Sequence, residues 1–79
     1  MNEHHHDTDT LDVTVNDESH SVPNTIGTAE ELLNAVTIDS GRHELYRIDG
    51  AETVGPLRGL LIFDQGDAFV TVPKYITDG

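Results

Sequence analysis

Hydrophobic and polar residues alternate in the first part of the chain. Leu11, Val13 and Val15 are separated by polar residues, which is the period of a strand with one buried and one solvated face. The segment NDES that follows is rich in turn-forming residues, and HSVP then resumes an extended pattern as far as Pro23. Because proline cannot donate to a strand ladder, Pro23 favours a strand end or an edge. The pattern predicts an N-terminal β-hairpin.

The spacing of apolar residues lengthens to three and four in TIGTAEELLNAV. Apolar side chains fall at i, i+3, i+4 and i+7, on one face of a helix: Ala29, Leu32, Leu33 and Val36. Thr28 followed by Glu31 is a capping box, in which the hydroxyl accepts from a free backbone N–H and the carboxylate reaches back. A helix of about three turns or fewer is marginal alone. We therefore expect it to pack against the inward face of the hairpin.

The second half of the chain predicts further strands. HELYRID indicates a third strand closed by Asp49-Gly50, and AETVGPLRG indicates a loop. LLIF is a short apolar run typical of a buried strand, DQGD is a hairpin turn, and AFVTV is the last strand, either face of which suits burial. The predicted order is β-β-α-β, a loop, then β-β. This order predicts one α+β domain, with a sheet of four to five strands and one helix packed across it.

Charge narrows the choice of partners. The chain has 79 residues, 15 of them acidic and 4 basic, so its net charge is -11. Without a basic patch to release counterions, nucleic acid and anionic membranes are not expected as partners, whereas a basic protein surface is. In the alternative interpretation, the acidic residues serve only to keep a small protein in solution. No signal peptide and no run of apolar residues long enough to span a membrane is visible, so we expect a cytoplasmic protein.

Residues 1–9 form an acidic, histidine-rich stretch with no apolar residue after Met1. We expect a disordered arm. His4, His5 and His6 with nearby aspartates are suitable metal ligands, but nothing fixes their geometry, and a solvated arm or part of an expression tag is the favoured explanation. We therefore predict neither a metal site nor a cofactor.

Four segments together resemble the bacterial ubiquitin-like proteins of the multiubiquitin-domain group: VTVNDESHSV, TAEELLNAV, HELYRIDGAE and DQGDAFVTVP. The similarity covers about residues 11–79. It implies a ubiquitin-like β-grasp domain over residues 10–73 and an extended tail over residues 74–79. It also implies partners: an activating enzyme, a conjugating enzyme, a deconjugating peptidase and target proteins, in systems some of which act in defence against phage.

The resemblance implies a role for the C-terminal carboxylate of Gly79. In such proteins the carboxylate is adenylated, passed to an enzyme cysteine as a thioester, and transferred to a nucleophile through an isopeptide or ester bond. Because glycine has no Cβ, an attacking nucleophile can approach its carbonyl carbon closely. Asp78 departs from the paired glycines usual in this group. Lys74, the only lysine, is a candidate acceptor for chain formation or simply a solvated residue at a strand end.

Other candidate site residues are partner contacts. Tyr46 and Arg47 lie mid-strand and have side chains that are favoured in binding hot spots, although Tyr46 alternatively packs in the core. Tyr75 and Asp78 are further candidate contacts in the tail. No nucleophile–base pair is visible, so we do not expect an enzyme or a catalytic residue. A β-grasp sulfur carrier and a non-covalent ubiquitin-like interaction module stay open as alternative functions.

Overall fold

A computed structural model describes residues 9–74. The predicted arm, residues 1–9, lies outside the described residues except for Asp9, and the predicted tail, residues 74–79, lies outside them except for Lys74. The elements are β1 (Thr10–Val15), β2 (Glu18–Pro23), α1 (Ala29–Ala35), β3 (His43–Asp49), β4 (Glu52–Val54) and β5 (Ala68–Pro73). The strands form one five-stranded sheet in the order β2-β1-β5-β3-β4. The predicted α+β class is confirmed.

The predicted N-terminal hairpin is confirmed. β1 and β2 pair antiparallel with Leu11 opposite Val22 and Val15 opposite Glu18. The two residues between them, Asn16 and Asp17, have φ angles of 54° and 69°. Two successive positive φ angles are typical of the tight turn that matches the twist of a hairpin, and asparagine and aspartate tolerate them.

The predicted helix is also confirmed, with Thr28 as its N-cap, and only the reciprocal bond of the capping box is shifted by one residue. The Thr28 Oγ1 accepts from the Glu31 N–H at 3.1 Å, as the capping box requires. The Glu31 Oε1, however, accepts from the Gly27 N–H at 2.7 Å rather than from Thr28. The two bonds hold the chain on both sides of the cap residue.

The helix ends without a glycine. The Ile38 N–H donates to the Leu33 carbonyl at 2.8 Å, and the Thr37 N–H donates to the Asn34 carbonyl at 3.1 Å. This pair of bonds is a Schellman motif, which needs a left-handed residue after the C-cap. Thr37 supplies it with a φ of 66°.

The core lies between α1 and one face of the sheet. Its buried residues are Val13, Val15, Val22, Leu32, Leu33, Val36, Leu45, Phe63 and Phe69. Phe69 is fully buried and meets Phe63 edge to face with ring centroids 5.6 Å apart. The sequence of β5 was compatible with burial of either face. The burial of Phe69 shows that the face carrying this residue is the one that packs against the helix.

β1 and β5 are held together partly by a side chain. Their parallel pairing covers Thr14 opposite Ala68 and Val15 opposite Phe69. Beyond it, the Asn16 Oδ1 accepts from the Thr71 N–H and the Asn16 Nδ2 donates to the Thr71 Oγ1, both at 2.9 Å. Asn16 therefore continues the connection between the two central strands after the backbone pairing stops.

Two predictions for the second half are wrong. Glu52–Val54, expected in a loop, forms β4, with Val54 opposite Arg47 of β3. LLIF, expected as a buried strand, forms no strand; only Leu60 makes an isolated bridge, to Thr28. β4 occupies one edge of β3 and β5 the other, so residues 60–63 have no place beside β3.

Candidate recognition surfaces and the C-terminal segment

Tyr46 and Arg47, the two predicted partner contacts on β3, point to opposite faces of the sheet. Successive side chains of a strand alternate between faces. Arg47 lies opposite the buried Phe69, on the helix side, whereas Tyr46 lies opposite Val70, on the outer side. The two side chains therefore do not share one binding patch.

Arg47 is engaged inside the fold. Its Nη2 donates to the Ile62 carbonyl at 2.9 Å and lies 3.7 Å from the Asp67 Oδ2. Its guanidinium carbon lies 5.4 Å from the centroid of the Phe69 ring, within cation–π range. Its Nε is buried and has no hydrogen-bond partner in residues 9–74. Arg47 therefore fixes residues 60–63 to the sheet, a role that its mid-strand position did not indicate.

Tyr46 belongs to an apolar surface on the outer side of the sheet, which we call the outer patch. The outer patch consists of Tyr46, Ile48, Val70 and Val72. Ile48 and Val72 are 40% and 42% exposed, and the other two are half-buried. Tyr46 therefore lies outside the core. Its strand and β5 are neighbours, so the outer patch crosses two adjacent strands.

A close contact fixes the Tyr46 ring in the outer patch. A Cβ added to Gly55 would lie 2.7 Å from the Tyr46 Cδ2, so the ring rests on the Gly55 backbone. The same imagined atom would lie 3.0 Å from the Leu45 carbonyl oxygen. Only glycine fits beneath the ring without a shift.

Lys74 lies where the chain leaves the sheet. Its backbone N–H donates to the Arg42 carbonyl at 2.8 Å, which extends the pairing of β3 with β5 by one step. Lys74 is exposed, and within the described part of the chain its ammonium makes no ion pair. Tyr75, Asp78 and Gly79, the other predicted tail residues, lie outside the described residues.

A groove opens beside Lys74, between the start of α1, the start of β3 and residues 56–59. It has a volume of about 330 Å³, and its lining includes the apolar side chains Leu33, Leu45 and Leu57. The Arg58 Nη2 meets the Glu44 Oε2 at 3.2 Å, and both residues line the groove. An apolar lining with charges of both signs suits a docked side chain or a short peptide segment.

Sequence reasoning missed the most exposed large hydrophobic residues of the described chain. Leu60 and Ile62 are 89% and 79% exposed, whereas Phe63 is buried. Their apolar character had indicated burial. The turn and loop residues on both sides of LLIF were the available signal that this segment is short and is not part of a strand.

The described residues offer no cluster of three or more histidine, aspartate or glutamate side chains able to hold a metal ion. The His4–His6 tract lies outside them. The His43 Nδ1 lies 3.0 Å from the Asp39 carbonyl oxygen, and the His20 Nε2 lies 3.8 Å from the Glu18 carboxylate. Over residues 9–74, no helix has the length and apolar character of a membrane crossing.

Comparison with known proteins identified no relative of this chain. No protein-family model, curated protein or solved structure matches the chain. The structure therefore defines the class by itself: a small α+β protein with a mixed five-stranded sheet and one helix, an arrangement compatible with a β-grasp.

Proposed function

We propose that the protein is a ubiquitin-like protein modifier, joined to target proteins through the carboxylate of Gly79. The order of elements supports the proposal. A hairpin is followed by one helix, and the last strand returns to the middle of the sheet, parallel to β1. This arrangement is compatible with the β-grasp that the four sequence segments resemble.

The observation that carries the proposal is the place where β5 ends. β5 is held on both sides, by β1 and by β3, and it ends at the exposed Pro73, next to the exposed Lys74. The chain therefore leaves the sheet at the exposed Lys74, directly after a strand that is anchored in the centre of the fold. Five residues reach at most about 17 Å. A segment of that length is suited to enter an enzyme site while the folded domain stays outside.

The proposed chemistry requires only a carboxylate from this chain. An activating enzyme joins the Gly79 carboxylate to the AMP part of ATP and releases pyrophosphate. A cysteine thiolate of the enzyme then displaces AMP and forms a thioester. A conjugating enzyme transfers the acyl group to an amine or hydroxyl of the target, and the thiolate leaves. A deconjugating peptidase would hydrolyse the bond between the modifier and its target.

Asp78 and the outer patch would supply selectivity. A carboxylate beside the reacting glycine suits an activating enzyme with a cationic side chain at that point, since a buried charge needs a partner. The outer patch offers a rigid aromatic ring, Tyr46, with aliphatic neighbours, which is typical of a binding hot spot. Enzymes and target proteins of a cytoplasmic conjugation system are the partners that we propose.

The test is thioester formation. The chain ending at Gly79 is incubated with an activating enzyme of the kind that the resemblance implies, ATP and magnesium. We expect a covalent adduct of protein and enzyme that a reducing agent removes, with release of pyrophosphate. Deletion of Gly79 should abolish the adduct, whereas deletion of residues 2–8 serves as a matched control and should leave it unchanged.

Two results would contradict the modifier. One is the lack of any adduct with the intact chain, and the other is an adduct that survives the loss of Gly79. If the C-terminal peptide instead gains the mass expected for one oxygen replaced by sulfur, the protein is a sulfur carrier. The same assay on a longer chain shows whether residues after Gly79 must first be removed.

A second candidate function is a non-covalent interaction module. The outer patch favours it, because all four of its residues lie within the folded domain and need nothing from residues 75–79. Binding to a partner that persists after deletion of residues 75–79, but is lost in the double variant I48S/V72S, would support the module over the modifier.

A further inference from the structure

Leu60 and Ile62 form a second apolar surface that the modifier chemistry does not use. We call these two side chains the ridge. Along residues 60–63, the exposed Leu60 and Ile62 alternate with the half-buried Leu61 and the buried Phe63. This alternation is that of an extended chain, which places side chains i and i+2 on one side, roughly 6.5–7 Å apart. The ridge therefore presents two aliphatic side chains in a row to solvent.

The backbone beneath the ridge is fixed from three directions. The Leu61 N–H donates to the Gly27 carbonyl at 2.8 Å, and Leu60 forms a bridge with Thr28. The Arg47 Nη2 donates to the Ile62 carbonyl, and Phe63 is anchored in the core. A surface that is ordered before binding loses little conformational entropy when a partner docks. Exposed apolar residues on such a backbone are typical of an interaction site.

Negative charge borders the ridge. Glu31, whose carboxylate holds the Gly27 N–H, lies beside the bridge to Leu60, and Glu30 precedes it in the first turn of α1. Asp64 follows Phe63 and is exposed. Within residues 9–74, none of these three carboxylates is in an ion pair. The ridge therefore has carboxylates on both sides that are unpaired within this part of the chain, whereas the two nearby cations, Arg47 and Arg58, are each already paired with another carboxylate.

We propose that the ridge docks onto a basic amphipathic helix of a partner protein. Two side chains roughly 6.5–7 Å apart match gaps on a helix surface, because residues i and i+4 are separated by about 6 Å along the axis. Lysine or arginine beside the apolar stripe of such a helix would face Glu30, Glu31 and Asp64. The charge argues against a second copy of this chain, since each carries a net charge of -11, and against an anionic lipid surface.

The test is an NMR titration of the ¹⁵N-labelled chain with a synthetic helical peptide of about 18 residues, five turns, that has a leucine stripe flanked by lysines. We expect saturable shifts at residues 27–31 and 58–64. The affinity should fall several-fold when the salt concentration rises from about 50 to about 300 mM. The same peptide with glutamate in place of lysine should not bind.

A pair of matched double variants locates the site. L60S/I62S should weaken binding at least about tenfold, as expected for the loss of hot-spot side chains. S19A/S21A changes two exposed side chains of the edge strand β2 that belong to neither apolar surface, and should change the affinity less than about twofold. Because all four side chains are largely or partly exposed, thermal unfolding checks that both variants keep the fold.

Several results would overturn the proposal. They are a dissociation constant above roughly 1 mM for the lysine peptide, equal loss of binding in the two double variants, and shifts confined to the outer patch. Concentration-dependent dimerisation lost in L60S/I62S would assign the ridge to a second copy. Binding to anionic vesicles lost in the same variant would assign it to lipid. None of these experiments involves Gly79, so they stand or fall apart from the modifier chemistry.

Discussion

At the scale of single residues, the outer patch depends on a missing side chain. Tyr46 is on the outer face because its neighbours Leu45 and Arg47 face the helix, and its ring lies flat enough to leave no room over Gly55. The contact couples β3 to residues 55–57, whose backbone is also tied to β3 by the Leu57 N–H, 2.8 Å from the Leu45 carbonyl. A change at Gly55 therefore affects both stability and the shape of the outer patch.

Gly55→Ala should lower the free energy of unfolding by about 2 kcal/mol or more, because the new Cβ overlaps the Tyr46 ring and the Leu45 carbonyl. Urea denaturation measures the loss. Gly66→Ala is the matched control: Gly66 has a φ of 86° but no atom within 4 Å of an added Cβ. Its cost should be limited to backbone strain, about 1 kcal/mol. Equal costs at the two sites would show that the ring does not rest on Gly55.

At the scale of elements, the ends of α1 are unequal. Its start has the Thr28 and Glu31 side chains as caps and two glutamates in the first turn, where the helix dipole favours negative charge. Its end has no basic residue in the last turn, and the left-handed position is occupied by Thr37, a β-branched residue. Such residues rarely adopt a positive φ, so the C-terminal end of the helix is the weaker one.

Thr37→Gly should therefore stabilise the protein by about 0.5–1 kcal/mol. Glycine removes the strain of the left-handed conformation, and the greater entropy of the unfolded chain offsets part of this gain. Thermal unfolding with circular dichroism detection measures the change. Thr37→Ala is the control, because alanine removes the branch but keeps the Cβ, and its gain should be smaller. A destabilised glycine variant would contradict the Schellman geometry at Thr37.

At the scale of the whole molecule, negative charge opposes compactness. Three of the four basic residues already have carboxylate neighbours within 4 Å: Arg42 with Asp39, Arg47 with Asp67, and Arg58 with Glu44. The other carboxylates among residues 9–74 have no lysine or arginine partner in that part of the chain, and Asp49 even lies directly opposite Glu52 in the β3–β4 pair. Like charges directly across two strands are destabilising. Repulsion of this kind is weakened by salt.

Adding about 0.5 M NaCl should raise the melting temperature by several degrees, because a gain of about 1 kcal/mol shifts a small domain by roughly 4–8 °C. Differential scanning fluorimetry across a salt series checks the direction. Glu52→Lys, which replaces the repulsive pair by an attractive one, should raise the melting temperature in low salt and reduce the further gain from salt. A melting temperature that is independent of salt would contradict the role of repulsion.

The sequence predicted those features that short stretches of chain decide. The period of two in LDVTV and the turn residues NDES were enough for the hairpin, and Thr28 with Glu31 was enough for the start of the helix. Each depends on contacts between residues a few positions apart. The resemblance to ubiquitin-like proteins, and Gly79 as the proposed reacting residue, also came from the sequence and stay predictions.

The tertiary structure decided what depends on pairing between distant segments. It placed Tyr46 outside and Arg47 inside, gave the edge of β3 to Glu52–Val54, and left Leu60 and Ile62 exposed although their composition indicated burial. A strand's hydrogen bonds are satisfied only by its neighbours in the sheet, and local composition does not identify those neighbours. The outer patch and the ridge are therefore products of strand order and register, whereas the helix and the hairpin are products of local sequence.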